Sequence, residues 1–187
     1  MALPQPNRTG SWLPSGMPVP RPHLGEPLAL DLLNTRWMSG EGLQDLLSDV
    51  AGLRQWLADN DLAERCPADT ATLHALVRAR EAILHAARGD DLEELNDILD
   101  HGRIRRTLTA HGPRDEIEVR DPAWLPGWLA ADDLLTLMAA PDRIKQCAHP
   151  HCVLWFYDTS KNGARRWHSM ATCGNRAKAA RHYARNA

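Results

Sequence analysis

Residues 147–176 read CAHPHCVLWFYDTSKNGARRWHSMATCGNR and hold three of the four cysteines of a 187-residue chain. The spacing is Cys147-x4-Cys152-x15-His168-x4-Cys173. Clustered thiols with histidines beside them, in a chain without a secretory leader pattern, favour metal over disulfides. Zinc takes a tetrahedral set of thiolates and imidazoles, and four such ligands let a short chain close around an ion in place of the hydrophobic core it lacks. The stretch therefore predicts a structural Zn2+ site on Cys147, Cys152, His168 and Cys173. His149 and His151 are the alternatives for the histidine position.

The residues between the ligands predict the frame. Pro150 restricts the loop from Cys147 to Cys152, so that it forms a knuckle with both thiols on one side. VLWFYD (153–158) reads as a strand, TSKNG (159–163) as a turn on Asn162 and Gly163, and ARRWH (164–168) as the returning strand. Cys173 opens a segment of helical character, where a helix N-terminus stabilises a thiolate. Knuckle, hairpin and helix around one ion outline a treble-clef-like finger spanning 143–187. Its rings divide between roles: Phe156 and Trp167 suit the finger's small core, while Trp155 could equally stack on a base.

Charge separates this end from the rest. The chain carries a net charge of -2, yet from residue 143 onward nine Lys or Arg face one acidic residue, Asp158. Thirteen basic and 23 acidic residues precede it. Such a basic end attracts polyanions, and it also suits docking on an acidic domain. Lys178, Arg181 and Arg185 recur at helical spacing and share one face, and Lys161, Arg165 and Arg166 sit on the turn and the strand after it. Arg176 has two readings, a phosphate contact or, with Asn175, a brace for the finger's loops.

Upstream, residues 1–25 hold six of the thirteen prolines and read as a flexible tail. Residues 26–142 read as a helical domain with a possible short β-hairpin. A first helix opens at Glu26 and Pro27; a helical pattern takes in Leu43, Leu46, Leu47, Val50, Leu53, Trp56 and Leu57. A long helix from an Asp or Thr cap ends at Gly89, and an acidic one starts near Asp90 with Leu92, Leu95, Ile98 and Leu99 inward. Ile104–Leu108 and Ile117–Val119 suit two short strands, and a last helix breaks near Pro141. Trp124 and Trp128 close the end of a helical core. Cys66 stands apart from any activating partner. No apolar run reaches the roughly 18 residues of a membrane span, so a cytoplasmic protein with no membrane partner is expected.

The C-terminal stretch, CAHPHCVLWFYDTSKNGARRWHSMATCGNRAKAARHYAR, resembles the CGNR zinc-finger family, and LALDLLNTR with the long helical middle resembles the N-terminal domain that usually accompanies that finger. The resemblance implies a bacterial transcriptional regulator with double-stranded DNA as its partner. It places metal ligands on Cys147, Cys152 and Cys173. The third ligand of the family is usually cysteine, where this chain has His168 within WHSM, which changes the charge of a zinc site from about -2 to about -1.

Three functions follow as expectations. The first is a zinc-dependent regulator whose finger binds DNA through Lys161, Arg165, Arg166, Arg176, Lys178, Arg181 and Arg185, with the helical domain sensing a small-molecule effector or forming a homodimer. The second is an enzyme or small-molecule-binding protein with a structural zinc and a pocket between the two domains, to which Asp158, His182 and Tyr183 could contribute. The third is an RNA-binding factor, because basic fingers also fit folded RNA. No residue pattern assigns a catalytic group.

Overall fold

The computed structural model describes residues 18–186, apart from the side chains of residues 181, 185 and 186. The order is α1 (Leu28–Leu33), β1 (Arg36–Ser39), β2 (Gly42–Asp45), α2 (Val50–Asp59), α3 (Thr70–Arg88), α4 (Glu93–Leu99), β3 (Gly102–Thr109), β4 (Gly112–Val119), α5 (Leu125–Leu137), β5 (Ile144–Gln146), β6 (Trp155–Tyr157) and α6 (Asn175–Asn186). The strands form three separate antiparallel pairs, β1–β2, β3–β4 and β5–β6. This is the expected mainly helical domain followed by a small hairpin-and-helix module.

Helix α3 is the axis of the helical domain. Asp69 caps it by accepting from Thr72 N–H at 2.8 Å, and Gly89 ends it in the left-handed conformation at φ 77°. Its apolar stripe, including Leu76, Ala79 and Ile83, is fully buried. Helices α1 and α5 pack on it and on each other, and α4 and α2 also lean against it. Trp56 is completely buried, and Trp128 donates its indole N–H to Leu99 C=O at 3.0 Å, so both belong to the core as expected.

Three local expectations change. Residues 42–45 are a strand and not a helix, because Gly40 and Gly42 disfavour helix and Asp45 is held in extended backbone by Arg80 and Arg36. Leu43 consequently faces solvent. The acidic helix starts at Glu93, after an Asp91 side chain that accepts from Glu93 N–H at 2.8 Å, which leaves Leu92 exposed. The second ribbon is longer than expected, with Ala110 and His111 alone between β3 and β4. Arg103–Glu118, Arg105–Glu116 and Arg106–Asp115 pairs run across it and fix its register, although such exposed pairs add little stability singly.

A close approach sets the start of α2. A 3-10 turn at Leu46–Ser48 runs into it, and a Cβ added at Gly52 would lie 1.6 Å from the Leu46 carbonyl oxygen. That neighbour is backbone and cannot step aside. Gly52→Ala is expected to reach or exceed the upper end of the roughly 1–3 kcal/mol typical of overpacking, read as a lower urea midpoint with an unchanged slope.

The chain between α1 and the Pro-rich start is also tied down. Val19 exchanges two hydrogen bonds of 2.8 Å with the Gln55 side chain. Arg21 is buried against Asp31 at 2.9 Å and Asp59 at 3.2 Å. Residues 18–25, read from sequence as part of the tail, thus lie along the helical domain; Trp12 and Leu13 fall outside the described residues. Among the described residues no helix is long and apolar enough to cross a membrane.

Candidate metal centre

The knuckle is built by a hairpin that brackets it. β5 precedes Cys147 and β6 follows Cys152, with Gln146 opposite Trp155, Lys145 opposite Phe156 and Ile144 opposite Tyr157. Cys147 N–H continues the ladder to Leu154 C=O at 2.8 Å, and Cys152 N–H closes the turn on His149 C=O at 2.9 Å. The partner of β6 is therefore β5, and ARRWH is not the returning strand expected from the sequence. The short IKQ run carried the alternation, but it stood beside a helical segment and was too brief to read as a strand.

In place of a strand, residues 158–168 form a loop organised by one buried carboxylate. Asp158 is fully buried and accepts from Lys145 Nζ at 2.8 Å, Ser160 Oγ at 2.6 Å, Ser160 N–H at 3.0 Å and Arg165 N–H at 2.9 Å. Burial pushes its pKa up, but the Lys145 ammonium and the Ser160 and Arg165 donors outweigh this and hold it well below the usual carboxylate range. Arg143 adds donors to the Asp158 and Ser160 carbonyls. The loop delivers His168 to the knuckle, with Ala148 N–H bonded to Arg166 C=O at 2.8 Å. Asp158 is thus a structural hub.

Cys173 arrives from the other side. A single π-type turn over Met170–Gly174, capped by Ser169, leads into α6. The Asn175 side chain donates to Ala171 C=O at 3.3 Å, the bracing role read for it in the sequence.

Cys147, Cys152, His168 and Cys173 come together so that one donor atom from each lies within 4.8 Å of all the others. Cys147, His168 and Cys173 are buried and Cys152 is half-buried. His168 turns Nδ1 toward Cys152 Sγ at 3.5 Å, while Nε2 faces Thr172 Oγ1 at 3.5 Å. His149 and His151 are not in this cluster; their rings meet edge to face on the knuckle's turn, with centroids 6.0 Å apart. Burial, then the proximity of His23 and Arg165, lowers the His168 pKa to about 4, so the ring is neutral near pH 7 as a ligand must be. Burial and the neighbouring thiols push Cys152 up to about 12, and the same causes raise Cys173. Crowded thiols that resist ionising together are the electrostatic mark of a place for a cation. The donor set fits a tetrahedral divalent ion, and zinc bound there would tie the knuckle to the N-terminus of α6.

The cations divide into two groups. Arg143 and Lys145 are spent on the loop, and so is Arg165. Its guanidinium lies 4.4 Å over the Phe156 ring, donates to the Trp167 carbonyl at 3.0 Å and to the His168 carbonyl, and sits 3.9 Å from Glu26. Lys161, Arg166, Arg176 and Lys178 are exposed, with Arg166 resting 5.4 Å over Trp167. The side chains of Arg181 and Arg185 lie outside the described residues. The rings Trp155 and Phe156 are buried, so neither is open to stack on a base.

Two residues that sequence reasoning passed over connect this module to the helical domain. Asn34, with no exposed surface, donates from Nδ2 to Trp155 C=O at 3.0 Å and accepts from Trp155 N–H at 2.8 Å. Glu26 accepts from Tyr157 N–H at 2.8 Å. The available signal was a polar Asn-Thr pair directly after an apolar run, in LALDLLNTR.

The sequence comparisons agree with this division. Residues 143–186 match the CGNR zinc finger, and residues 26–141 match ABATE, described as "Putative stress-induced transcription regulator". No curated protein matches the chain. With an ABATE match over more than half its length, the chain belongs to the ABATE family, and its C-terminal end matches the CGNR zinc finger.

Proposed function

We propose that this protein is a zinc-dependent, DNA-binding transcription regulator whose helical domain senses an effector or forms a homodimer. The observation that carries the reading is the juxtaposition of a four-donor metal cluster with the start of α6, where Arg176 and Lys178 are exposed. Zinc is the ion that this donor set favours. It would hold the start of α6 rigidly, and a rigid exposed helix with cations along one face fits the backbone of a duplex. Arg166, Lys161, Arg176, Lys178, Arg181 and Arg185 form the proposed contact set. Arg165 has so many internal partners that it supports the surface more than it touches phosphate.

Two features of the helical domain support the second half of the reading. A cavity of about 260 Å3 lies where α4 meets the β3–β4 ribbon, lined by Asp100, His101, Arg103, Glu118 and Arg120. Its size and mixed charge suit a small zwitterionic effector. On the ribbon, Ile104 and Ile117 face each other across the strands and share a face with Leu108, and all three are exposed. A face of that kind is what a second copy would cover.

The test is selection of genomic fragments by the zinc-loaded chain at low and near-physiological salt. One sequence is expected to be enriched at both. Replacing Lys178 and Arg181 by Ala should weaken binding and reduce the slope of log K against log salt by about 0.9 for each phosphate that is no longer neutralised. Binding that vanishes with salt and enriches no sequence would overturn the reading. A preference for structured RNA at matched salt would move the partner to RNA.

A further inference from the structure

The finger's hairpin has two edges. Along β6 the even-numbered residues bond to β5: Leu154 C=O accepts from Cys147 N–H, and Asp158 N–H donates to Arg143 C=O, each at 2.8 Å. Alternation then turns the backbone groups of Trp155 and Tyr157 the other way. A two-stranded ribbon would ordinarily leave that edge to water or to another chain. Here it meets Asn34 and Glu26 from the helical domain.

Asn34 acts as a one-residue strand. Its amide satisfies both the N–H and the C=O of Trp155, at 2.8 and 3.0 Å, as a backbone partner would. Asn34 is also the residue that ends α1, where its own N–H bonds to Leu30 C=O at 2.9 Å. The helix end and the strand are thus joined by one fully buried side chain. Glu26 adds a second joint. Oε2 takes the Tyr157 N–H at 2.8 Å, and Oε1 lies 2.8 Å from His23 Nε2. The His23 ring is in turn 5.0 Å from the ring of His168, one of the four metal-site residues.

We propose that Asn34 and Glu26 clasp the free edge of β6 so that the helical domain and the metal site form one cooperative unit. This rests on the zinc reading given above. The clasp registers β6, β6 registers β5, and the two strands bracket the knuckle that bears Cys147 and Cys152. Metal loading is consequently felt in α1 and in the helices α3 and α5 on which α1 packs. In the other direction, an event in the helical domain that shifts α1 moves the base of the finger. Asn34 and Glu26 are positioning residues, acting on the metal site through β6.

Amide hydrogen exchange read by mass spectrometry on the full chain tests this, with and without EDTA and with zinc content measured in parallel. Stripping zinc from the wild type is expected to speed exchange of the α1 amides by about tenfold or more, besides the expected change within 143–175. In Asn34→Ala, α1 exchange should no longer respond to EDTA, and zinc should pass to a competing chelator faster than in the wild type. Asn34→Asp keeps the acceptor for Trp155 N–H and removes the donor, so it should fall between the two. If one zinc is bound and α1 exchange in the wild type is unmoved by its removal, the clasp is overturned and the zinc reading stands. If the purified chain takes up no zinc, both are overturned. The wild-type comparison decides even where Asn34→Ala folds poorly, and an α1 response undiminished in Asn34→Asp would also overturn the clasp.

Discussion

Cys173→Ser is expected to abolish stoichiometric zinc binding and to unfold the end of the chain from the Asp158 loop onward. The finger has few buried apolar side chains of its own, among them Leu154, Trp155 and Phe156, and all three belong to β6 or the residue before it. Among the described residues, the segment that brings in Cys173 and α6 has no comparable core: those buried after Asp158 are His168, Cys173 and Gly174. Structural zinc in small modules contributes about 10–16 kcal/mol of apparent binding free energy at neutral pH. Losing one of four ligands removes enough of that to leave the second half of the module without a reason to fold. Zinc content should fall from one per chain to a small fraction, and the helix signal of α6 should be lost from far-UV circular dichroism. Chelation of the wild type should produce the same spectrum. Cys66→Ser serves as the control, because Cys66 is buried in the helical core and absent from the cluster, so its zinc content should not change. Retention of one tightly held zinc by Cys173→Ser would show that Cys173 is not a ligand.

Asp45→Ala should be strongly destabilising within the helical domain. Arg80 lies on α3 with only 2% of its side chain exposed, and it reaches Asp45 with two bonds of 2.7 and 2.8 Å and Thr35 Oγ1 with another of 2.8 Å. Removing the carboxylate strands a buried guanidinium. Breaking a buried pair costs about 3–5 kcal/mol, and the 29% exposure of Asp45 puts this case near the lower end. The pH dependence has a definite sign. Burial raises the Asp45 pKa, but hydrogen bonds and charge from Arg80 and then Arg36 bring it below the ordinary value. A carboxyl whose folded pKa is depressed stabilises fully above its unfolded pKa, about 3.9, and loses that contribution as the pH falls toward the folded value. Urea midpoints measured between roughly pH 6 and 3 should therefore decline more steeply for the wild type than for Asp45→Ala. Parallel curves would show that the pair does not set acid stability.

What could be read from the sequence follows the range over which each feature is decided. The clustering of the four candidate donors was legible because residue type and spacing are local, and α3 was legible because its cap, stripe and terminal glycine all fall within twenty-one consecutive residues, 69–89. β2 was not, since its leucine spacing alone suited a helix and the deciding partner, Arg80, is thirty-five residues away. The hairpin of the finger was misread for a related reason: β5 has three residues, too few to show a period, and its partner β6 lies on the far side of the knuckle. The split of the basic residues was equally hidden. Arg165 and Lys178 are the same sign in sequence, but one covers Phe156 and the other is exposed.

The side-chain strand formed by Asn34 bears on how such proteins can be recombined. A cut at residue 142 looks natural from the family boundaries, yet it strips Trp155 and Tyr157 of their partners and leaves a bare strand edge of the kind that invites aggregation. A chimera that transplants this finger onto another helical domain would therefore have to bring residues 23–35 along, or find an asparagine and a glutamate already waiting at the same places. The unit of exchange is discontinuous in sequence.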